Sequence, residues 1–179
     1  MALDELIDRF VERINSSPRE GIFDEDVPPE LRISRDAGGW WDWHIKATDG
    51  INWIEPLEAK LGTRFPVSFR SLVARYQFPA FEVGPLFLLA NTSVGVYDEL
   101  RDRIFRDEIL SQCLLSTGLI HFAVPDTGSY DPICFDIRRS QSNGESPIVR
   151  LDHEAILCDD QIVVLEEVAE SFAEFVAMI

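Results

Sequence analysis

The sequence predicts an α+β domain whose antiparallel sheet lies in the C-terminal half and is flanked by helices. Three observations favour this fold class. Helical periodicity dominates the first half, alternating apolar segments separated by turns follow from residue 119, and a capped amphipathic segment closes the chain. A length of 179 residues fits one domain, and 46% hydrophobic with 27% charged residues is typical of a globular protein.

The first helix is predicted over residues 2–15, because five apolar side chains recur there at helical spacing: Leu3, Leu6, Ile7, Phe10 and Ile14. Residues 18–30 are rich in acids and prolines, so an exposed loop is expected there, followed by a short strand at Leu31–Arg35. The predicted organisation is a single domain over residues 1–179, with an N-terminal extension (1–38) on a core (39–179).

Tryptophans mark the next strand. Trp41, Trp43 and Ile45 alternate with polar residues, which predicts a half-buried strand over Trp40–Lys46. On such a strand Trp41 and Trp43 share one face, and Trp40 lies on the other. Two interpretations stay open: core tryptophans that only pack, or a partly exposed Trp40 that anchors a protein interface, since tryptophan is enriched at binding hot spots.

Three helices are predicted between the tryptophans and residue 119. The first covers Ile54–Leu61, and Gly62 is expected to end it in the left-handed conformation. The second starts at Pro66, whose fixed φ suits the first turn of a helix. A third helix is expected over residues 98–116, with Gly118 as its C-terminal cap.

The strands of the sheet are predicted from short apolar runs, beginning with Leu86–Ala90 and Val94–Tyr97. An antiparallel meander is then expected from three alternating segments joined by turns: Leu119–Val124, Pro132–Ile137 and Pro147–Asp152. A fourth apolar run lies at Ile162–Leu165. The terminal helix begins at the capping-box pattern formed by Ser171 and Glu174.

The charge balance restricts the choice of partners. The chain has 16 basic and 32 acidic residues, a net charge of −16. Direct binding of nucleic acid is not expected, because such binding uses Lys and Arg to displace counterions from phosphates. A basic protein partner is compatible with this charge. Residues 151–179 contain eight of the acids and no lysine or arginine.

The sequence also predicts a cytoplasmic protein without a membrane span. The N-terminal segment lacks the basic start and apolar run of a signal peptide, and no run of apolar residues approaches 18. Three cysteines without paired spacing, Cys113, Cys134 and Cys158, are expected to be small buried residues in a reducing compartment.

No motif in the sequence predicts catalysis, a cofactor or a metal. His44, His121 and His153 are far apart, and neighbours in the run Asp152–Glu154 would point to opposite faces of a strand. No nucleophile elbow or phosphate-binding loop is present. We therefore expect neither an enzyme nor a metalloprotein, although a pair of catalytic carboxylates among 32 acids stays open.

Partner contacts are expected from acids and aromatic residues on loops. Besides Trp40, the candidates are three acids of the first loop (Asp24, Glu25 and Asp26) and three residues at the hairpin tip (Asp126, Tyr130 and Asp131). Tyr130 is the expected anchor, because its ring buries area at low entropic cost while its hydroxyl can bond a partner. Alternatively, Asp126 and Asp131 only shape the turn.

The segment Trp53–Tyr76, WIEPLEAKLGTRFPVSFRSLVARY, resembles the SUKH superfamily, which groups bacterial immunity proteins with fungal regulators of cell-wall synthesis. The similar features are an acid- and leucine-bearing helix, then Leu61-Gly62, then Phe65-Pro66 and an aromatic-bearing helix. Three later segments resemble the family's hairpin, the strand after it and its closing segment: GLIHFAVPDTGSYDPICFDI, PIVRLDHE and VAESFAEFV.

The resemblance implies a function that periodicity does not give. Proteins of this kind bind and neutralise partner toxins and are not enzymes, so it implies an immunity-type protein that occludes a cognate toxin domain, such as a nuclease or deaminase. The alternative is a regulatory scaffold with an endogenous partner. One departure is that many relatives carry Asn-Gly-Gly after the second helix, where this chain has Tyr76–Phe81.

Overall fold

A computed structural model describes residues 2–17, 22–23, 27–48, 54–92, 99–106 and 108–179. The helices in these ranges are α1 (Leu3–Ser16), α2 (Ile54–Leu61), α3 (Val67–Arg75), α4 (Glu99–Phe105), α5 (Glu108–Ser116), α6 (His153–Asp159) and α7 (Phe172–Met178). The strands are β1 (Ile22–Phe23), β2 (Arg32–Arg35), β3 (Trp40–Trp43), β4 (Lys46–Ala47), β5 (Tyr76–Gln77), β6 (Phe81–Val83), β7 (Leu86–Leu88), β8 (Leu119–Pro125), β9 (Ile133–Asp136), β10 (Ile148–Leu151) and β11 (Val164–Ala169).

The main sheet contains the six strands β6 to β11, arranged in sequence order so that each strand pairs antiparallel with the next. Its two edges are β6 and β11. Two smaller sheets lie outside it, one with the order β1-β3-β2 and one formed by β4 and β5. The predicted α+β class and the predicted meander are both confirmed.

One face of the main sheet packs against α3 and α7 through an aromatic cluster, and α1 packs on these two helices, with Phe10 edge-on to Phe172. Phe122 of β8 and Phe135 of β9 stack with ring centroids 3.9 Å apart. The Phe69 ring of α3 contacts both of these rings, with centroid distances of 5.2 and 5.0 Å. It also contacts the Phe172 ring of α7, with a centroid distance of 5.2 Å. Because each such pair adds favourable energy beyond area burial, this cluster fixes both helices on the sheet.

The opposite face of the sheet is covered by α5 and α6. A second group of buried side chains lies there, drawn from α5, β8, β9, β10 and α6: Leu114, Leu119, Cys134, Val149, Leu151 and Ile156. Strands β8 and β9 are therefore buried on both faces. Burial in the low-dielectric interior raises the pKa of the Cys134 thiol well above its ordinary value.

The N-terminus of α3 is held by two buried carboxylates. Glu145 accepts hydrogen bonds from the Ser68 backbone N–H at 3.0 Å and from the Ser68 hydroxyl at 2.7 Å. Glu58 of α2 accepts one from the Phe65 backbone N–H at 3.1 Å. Gly62 has φ +71°, as predicted for the residue that ends α2.

Several elements differ from their predictions for identifiable reasons. The helix expected over residues 98–116 is two helices, α4 and α5. Asp152 was expected to end a strand, but it is the N-cap of α6. Its carboxylate accepts hydrogen bonds from the backbone N–H groups of Glu154 and Ala155 in the first turn. Cys158, on that helix, is exposed instead of buried. Strand β6 was not predicted, because an acid interrupts its three residues, whereas β7 lies in a continuous apolar run.

In the N-terminal region the predicted first helix is confirmed as α1, whereas the segment after it departs from expectation. Helix α1 contributes the fully buried Ile7 and Phe10 to the main core. The segment expected as an exposed loop contains β1, which pairs with β3, and the buried Val27. The strand predicted at Val94–Tyr97 lies outside the described residues. None of the helices in the described ranges is both long and apolar enough to cross a membrane.

We predict that Glu145→Gln lowers the free energy of unfolding by about 1 to 2 kcal/mol, because a neutral amide makes weaker hydrogen bonds to the α3 N-terminus. Urea denaturation monitored by circular dichroism measures the change. Glu82→Gln on the exposed side of β6 is the matched control and should change stability by less than about 0.5 kcal/mol. Equal effects of the two variants would contradict this role of Glu145.

Candidate functional site

The turn between β8 and β9 forms the hairpin tip, which we define as residues 126–132. Gly128 in this turn has φ +74°, a conformation that L side chains rarely adopt. The Asp126 backbone N–H donates to the Pro85 carbonyl at 3.2 Å, which ties the tip to the neighbouring β6–β7 turn. The tip therefore projects from a doubly buried pair of strands.

Asp131 is buried, and an ion pair holds it inside the tip. Arg150 of β10 donates to Asp131 Oδ2 from Nε at 2.9 Å and from Nη2 at 2.6 Å. His153 places Nδ1 2.7 Å from Asp131 Oδ1, and its backbone N–H lies 3.3 Å from the same oxygen. Asp131 is thus not an exposed acid, and these contacts join the tip to β10 and to the start of α6.

The electrostatics of Asp131 follow from these contacts. Burial would raise the pKa of its carboxyl, but hydrogen bonds from His153, Arg150 and Ser129 outweigh the burial. The pKa of Asp131 is therefore lowered well below its ordinary value of 3.8. The carboxylate stays ionised at neutral pH and holds the base of the tip together.

Tyr130 is the most exposed of the tip's large side chains, with 76% of its surface accessible. Its ring meets the His153 ring edge to face, with the centroids 6.1 Å apart. Since His153 is itself held by Asp131, the tyrosine rests on a fixed partner. The arrangement displays an aromatic side chain on a rigid base, as a protein-binding anchor requires.

A shallow surface depression of about 230 Å³ lies beside Tyr130. Its wall combines the tip with neighbouring strands and with α4: Phe87, Arg103, Val124, Pro125, Asp126, Gly128, Ser129 and Tyr130. Phe87 and Val124 are register partners on β7 and β8. The depression is mainly apolar, with Asp126 and Arg103 as its charged groups, so its chemistry suits a side chain of a protein partner.

Asp131, Asp152 and His153 also form a group whose potential metal-binding atoms lie within 4.8 Å of one another. The sequence did not predict this group, because it placed Asp152 and His153 on a strand. Both Asp131 oxygens and Asp152 Oδ1 already accept hydrogen bonds, and Arg150 brings a positive charge into the group. These side chains therefore act as a structural network in the fold.

The other candidate residues lie elsewhere. Trp40 is on β3 and is 47% exposed, whereas Trp43 is buried against Phe81 with ring centroids 5.2 Å apart. Trp41 is partly buried. The guanidinium carbons of Arg32 and Arg35 lie over its ring, 4.9 and 5.6 Å from the ring centroid. The structure thus places Trp40 and the hairpin tip on different sheets. Asp24, Glu25 and Asp26 lie outside the described residues.

Sequence reasoning missed the residues that support the tip, namely Arg150, His153 and Arg103. Of these three, Arg150 had a weak signal in the sequence. In the structure Arg150 lies opposite Ile133, two residues after Asp131, and an acid and an arginine on neighbouring strands of the predicted meander were the only hint of this pair in the sequence. His153 and Arg103 have no such signal, because α6 was not predicted and α4 approaches only in the tertiary structure.

A protein-family model described as SUKH_6, SMI1-KNR4 cell-wall, matches residues 51–176. The match covers more than half of the 179 residues and includes both α3 with its caps and the hairpin tip. It begins after the three-stranded sheet that carries Trp40. None of the curated proteins compared with the chain matches it. The resemblance found in the sequence is confirmed by this match.

We predict that Asp131→Asn lowers the free energy of unfolding at pH 7 by about 1.5 to 3 kcal/mol, since it weakens charged hydrogen bonds to Arg150 and His153. Because the folded-state pKa of Asp131 is lowered, its contribution is fully present above its ordinary value of 3.8 and is lost progressively as the pH falls from there toward the lowered folded-state pKa.

Urea denaturation at several pH values between about 7 and 3 measures this difference. The gap between wild type and Asp131→Asn should narrow toward the acid end. Asp126→Asn, at an exposed position of the same turn, is the control and should stay within about 0.5 kcal/mol of wild type. A gap that does not change with pH would contradict the assignment.

Proposed function

Because the chain belongs to the SUKH family, a membership consistent with an immunity or regulatory role, we propose that it binds and neutralises a cognate bacterial toxin domain. The observation that carries the proposal is the exposed Tyr130 held on a buried ion-pair network. Neutralisation is steric and electrostatic: the bound protein covers the active site or the substrate path of the toxin. It requires no catalytic step by this chain.

The contacts around Tyr130 support a binding role in a specific way. A side chain that is ordered before binding loses less conformational entropy on association. Asp131, Arg150 and His153 keep the tip ordered, so Tyr130 can bury its ring against a partner at low cost. The adjacent depression can receive one side chain of the same partner.

The charge supports a basic partner. With a net charge of −16, the protein has a long-range negative field that attracts positively charged surfaces. Toxin domains that act on nucleic acid need positive charge where they bind phosphates. An acidic protein can occupy such a surface as a mimic of the polyanion. Asp126, exposed beside Tyr130, supplies negative charge at the proposed contact.

The second candidate is a regulatory protein-interaction scaffold with an endogenous partner. The matching family is described by its connection with the cell wall, and this connection favours a regulatory role over toxin binding. The two functions differ in genetic context, because an immunity gene lies beside a gene for a large secreted toxin. Sequencing the locus separates them: neighbours that are only housekeeping genes would favour the scaffold.

We predict that co-expression with the C-terminal domain of the adjacent toxin rescues growth and that the two proteins purify together. Tyr130→Ala should weaken binding about tenfold or more while leaving the melting temperature unchanged, because the side chain is exposed. Ile109→Ala, at another exposed apolar position on α5, is the control and should bind like wild type. Binding by Tyr130→Ala equal to wild type would exclude Tyr130 as the anchor, and absence of protection would favour the scaffold.

We also predict that association with the toxin domain slows as salt rises from about 0.05 to 0.5 M, because screening removes the attraction between opposite fields. Stopped-flow mixing measures the on-rate. Asp126→Lys should mainly lower the on-rate, whereas Tyr130→Ala should mainly raise the off-rate. An on-rate that does not respond to salt would show that the acidity serves solubility alone.

A further inference from the structure

We propose that the free edge of β11 is a second interaction surface, which pairs with a short, basic, extended segment of a protein partner. The partner segment would add a seventh strand to the main sheet. This proposal goes beyond the proposed function, because it concerns an edge of the sheet and not the hairpin tip. It does not depend on the identity of the partner that contacts Tyr130.

The edge of β11 is open in the described part of the chain. The strand hydrogen-bonds with β10 on one side, and no described strand pairs with its other side. The opposite edge of the sheet differs, since Phe81 and Val83 of β6 are buried there. An edge strand with unpaired backbone groups is a template for another strand, which is how β-augmentation works.

The side chains of β11 are unusually apolar for an exposed edge. Val164 is 48% and Leu165 50% exposed, and the adjoining Val163 is exposed as well. Proteins commonly protect such edges with charged residues or cover them with other elements. Here the exposed apolar pair lies at the start of the strand, and two acids, Glu166 and Glu167, follow it directly.

Charge decides which occupant fits this edge. A second copy pairing along β11 would place its own acids near Glu166 and Glu167, and like charges on paired strands are destabilising. Residues 151–179, which include β11, contain eight acids and no lysine or arginine. A segment with two adjacent Lys or Arg residues next to two adjacent apolar residues presents basic and apolar side chains on both faces of the strand, so it can contact both the acids and the apolar pair.

The chain already contains one contact of the proposed kind. Arg139 donates from Nη1 to Glu167 Oε2 at 2.6 Å, which shows that a guanidinium group can dock on an acid of this strand. Glu166 is the register partner of Arg150, the same arginine that binds Asp131. The edge is therefore one strand away from the network that supports Tyr130.

The geometry of β11 limits the length of the added segment. Its pairing with β10 has register shifts between Ile148 and Val149 and between Arg150 and Leu151. Such irregularities increase the local twist and interrupt a long, flat ladder. We therefore expect the partner to contribute a single short strand, and these shifts also oppose extended self-association.

The test uses the intact protein and a fluorescein-labelled synthetic peptide with two Lys-Lys-Val-Val repeats and blocked ends. Fluorescence anisotropy should detect binding by wild type. Leu165→Lys should weaken that binding about tenfold, because it places positive charge where the peptide docks. Ile109→Lys makes the same change in charge at an exposed site on α5 and should weaken binding less than about twofold.

Two further measurements distinguish strand addition from general attraction. A peptide of the same sequence with N-methylated backbone amides has fewer donors and should not bind, because strand pairing needs them. On the unaltered protein, amide hydrogen exchange within Val164–Ala169 should slow when the parent peptide is added. Equal binding of the methylated peptide, or unchanged exchange in β11, would overturn the proposal.

Remaining outcomes are also decisive. Equal weakening by Leu165→Lys and Ile109→Lys would show that the peptide senses only net charge. A wild-type protein that dimerises at micromolar concentration, and becomes monomeric with Leu165→Lys, would make the occupant a second copy and refute the basic segment. Tyr130→Ala should leave peptide binding unchanged, so a failure of the toxin-neutralising function and a failure of this proposal can be told apart.

Discussion

The position of α3 depends on carboxylates at its N-terminus, and much of the structure depends on α3. The first backbone N–H groups of a helix have no partner inside the helix and carry partial positive charge. Glu145, from the loop before β10, accepts from Ser68 in this first turn, and Glu58 of α2 accepts from Phe65 just before it. Arg70 pairs with Glu58, at 3.0 Å, and balances its charge. The preceding helix α2 and a loop 77 residues farther along the chain are thereby joined to one helix end.

Phe69 connects the position of α3 to the position of the sheet. It follows Ser68 directly and contacts the stacked rings of Phe122 and Phe135. Those rings belong to β8 and β9, the strands joined by the hairpin tip. Because interiors are close-packed, a shift of α3 would require repacking of both strands. The exposed Tyr130 is thus displayed by a hairpin whose base is fixed on one face by α3 and on the other by α5 and α6.

The difference between local signals and long-range contacts explains how much of the fold the sequence predicts. Periodicity and caps are local, so α1, α2, α3, the meander and α7 follow from neighbouring residues; Ser171 does accept from the Glu174 backbone N–H at 3.0 Å. Helix α6 follows β10 with only its N-cap between them, and its seven residues give too few turns for a periodic signal. Tyr130 and Asp131 are both polar turn residues by sequence, yet one is exposed and the other buried. What separates them is Arg150, 19 residues away, a contact that exists only after folding.

The distribution of arginine explains why an acidic field remains outside the molecule. Several arginines are already paired with acids within the fold, among them Arg70 with Glu58, Arg138 with Asp136 and Arg150 with Asp131. In each of these pairs the acid is the more buried partner, so the positive charge neutralises an acid at the base of a turn or helix. Because the chain has 32 acids and only 16 basic residues, an excess of negative charge remains, and exposed acids such as Glu154 and Asp159 of α6 carry part of it. A partner that supplies that charge gains long-range attraction at either proposed surface, while Tyr130 or the apolar pair of β11 provides the short-range contact that a field alone cannot.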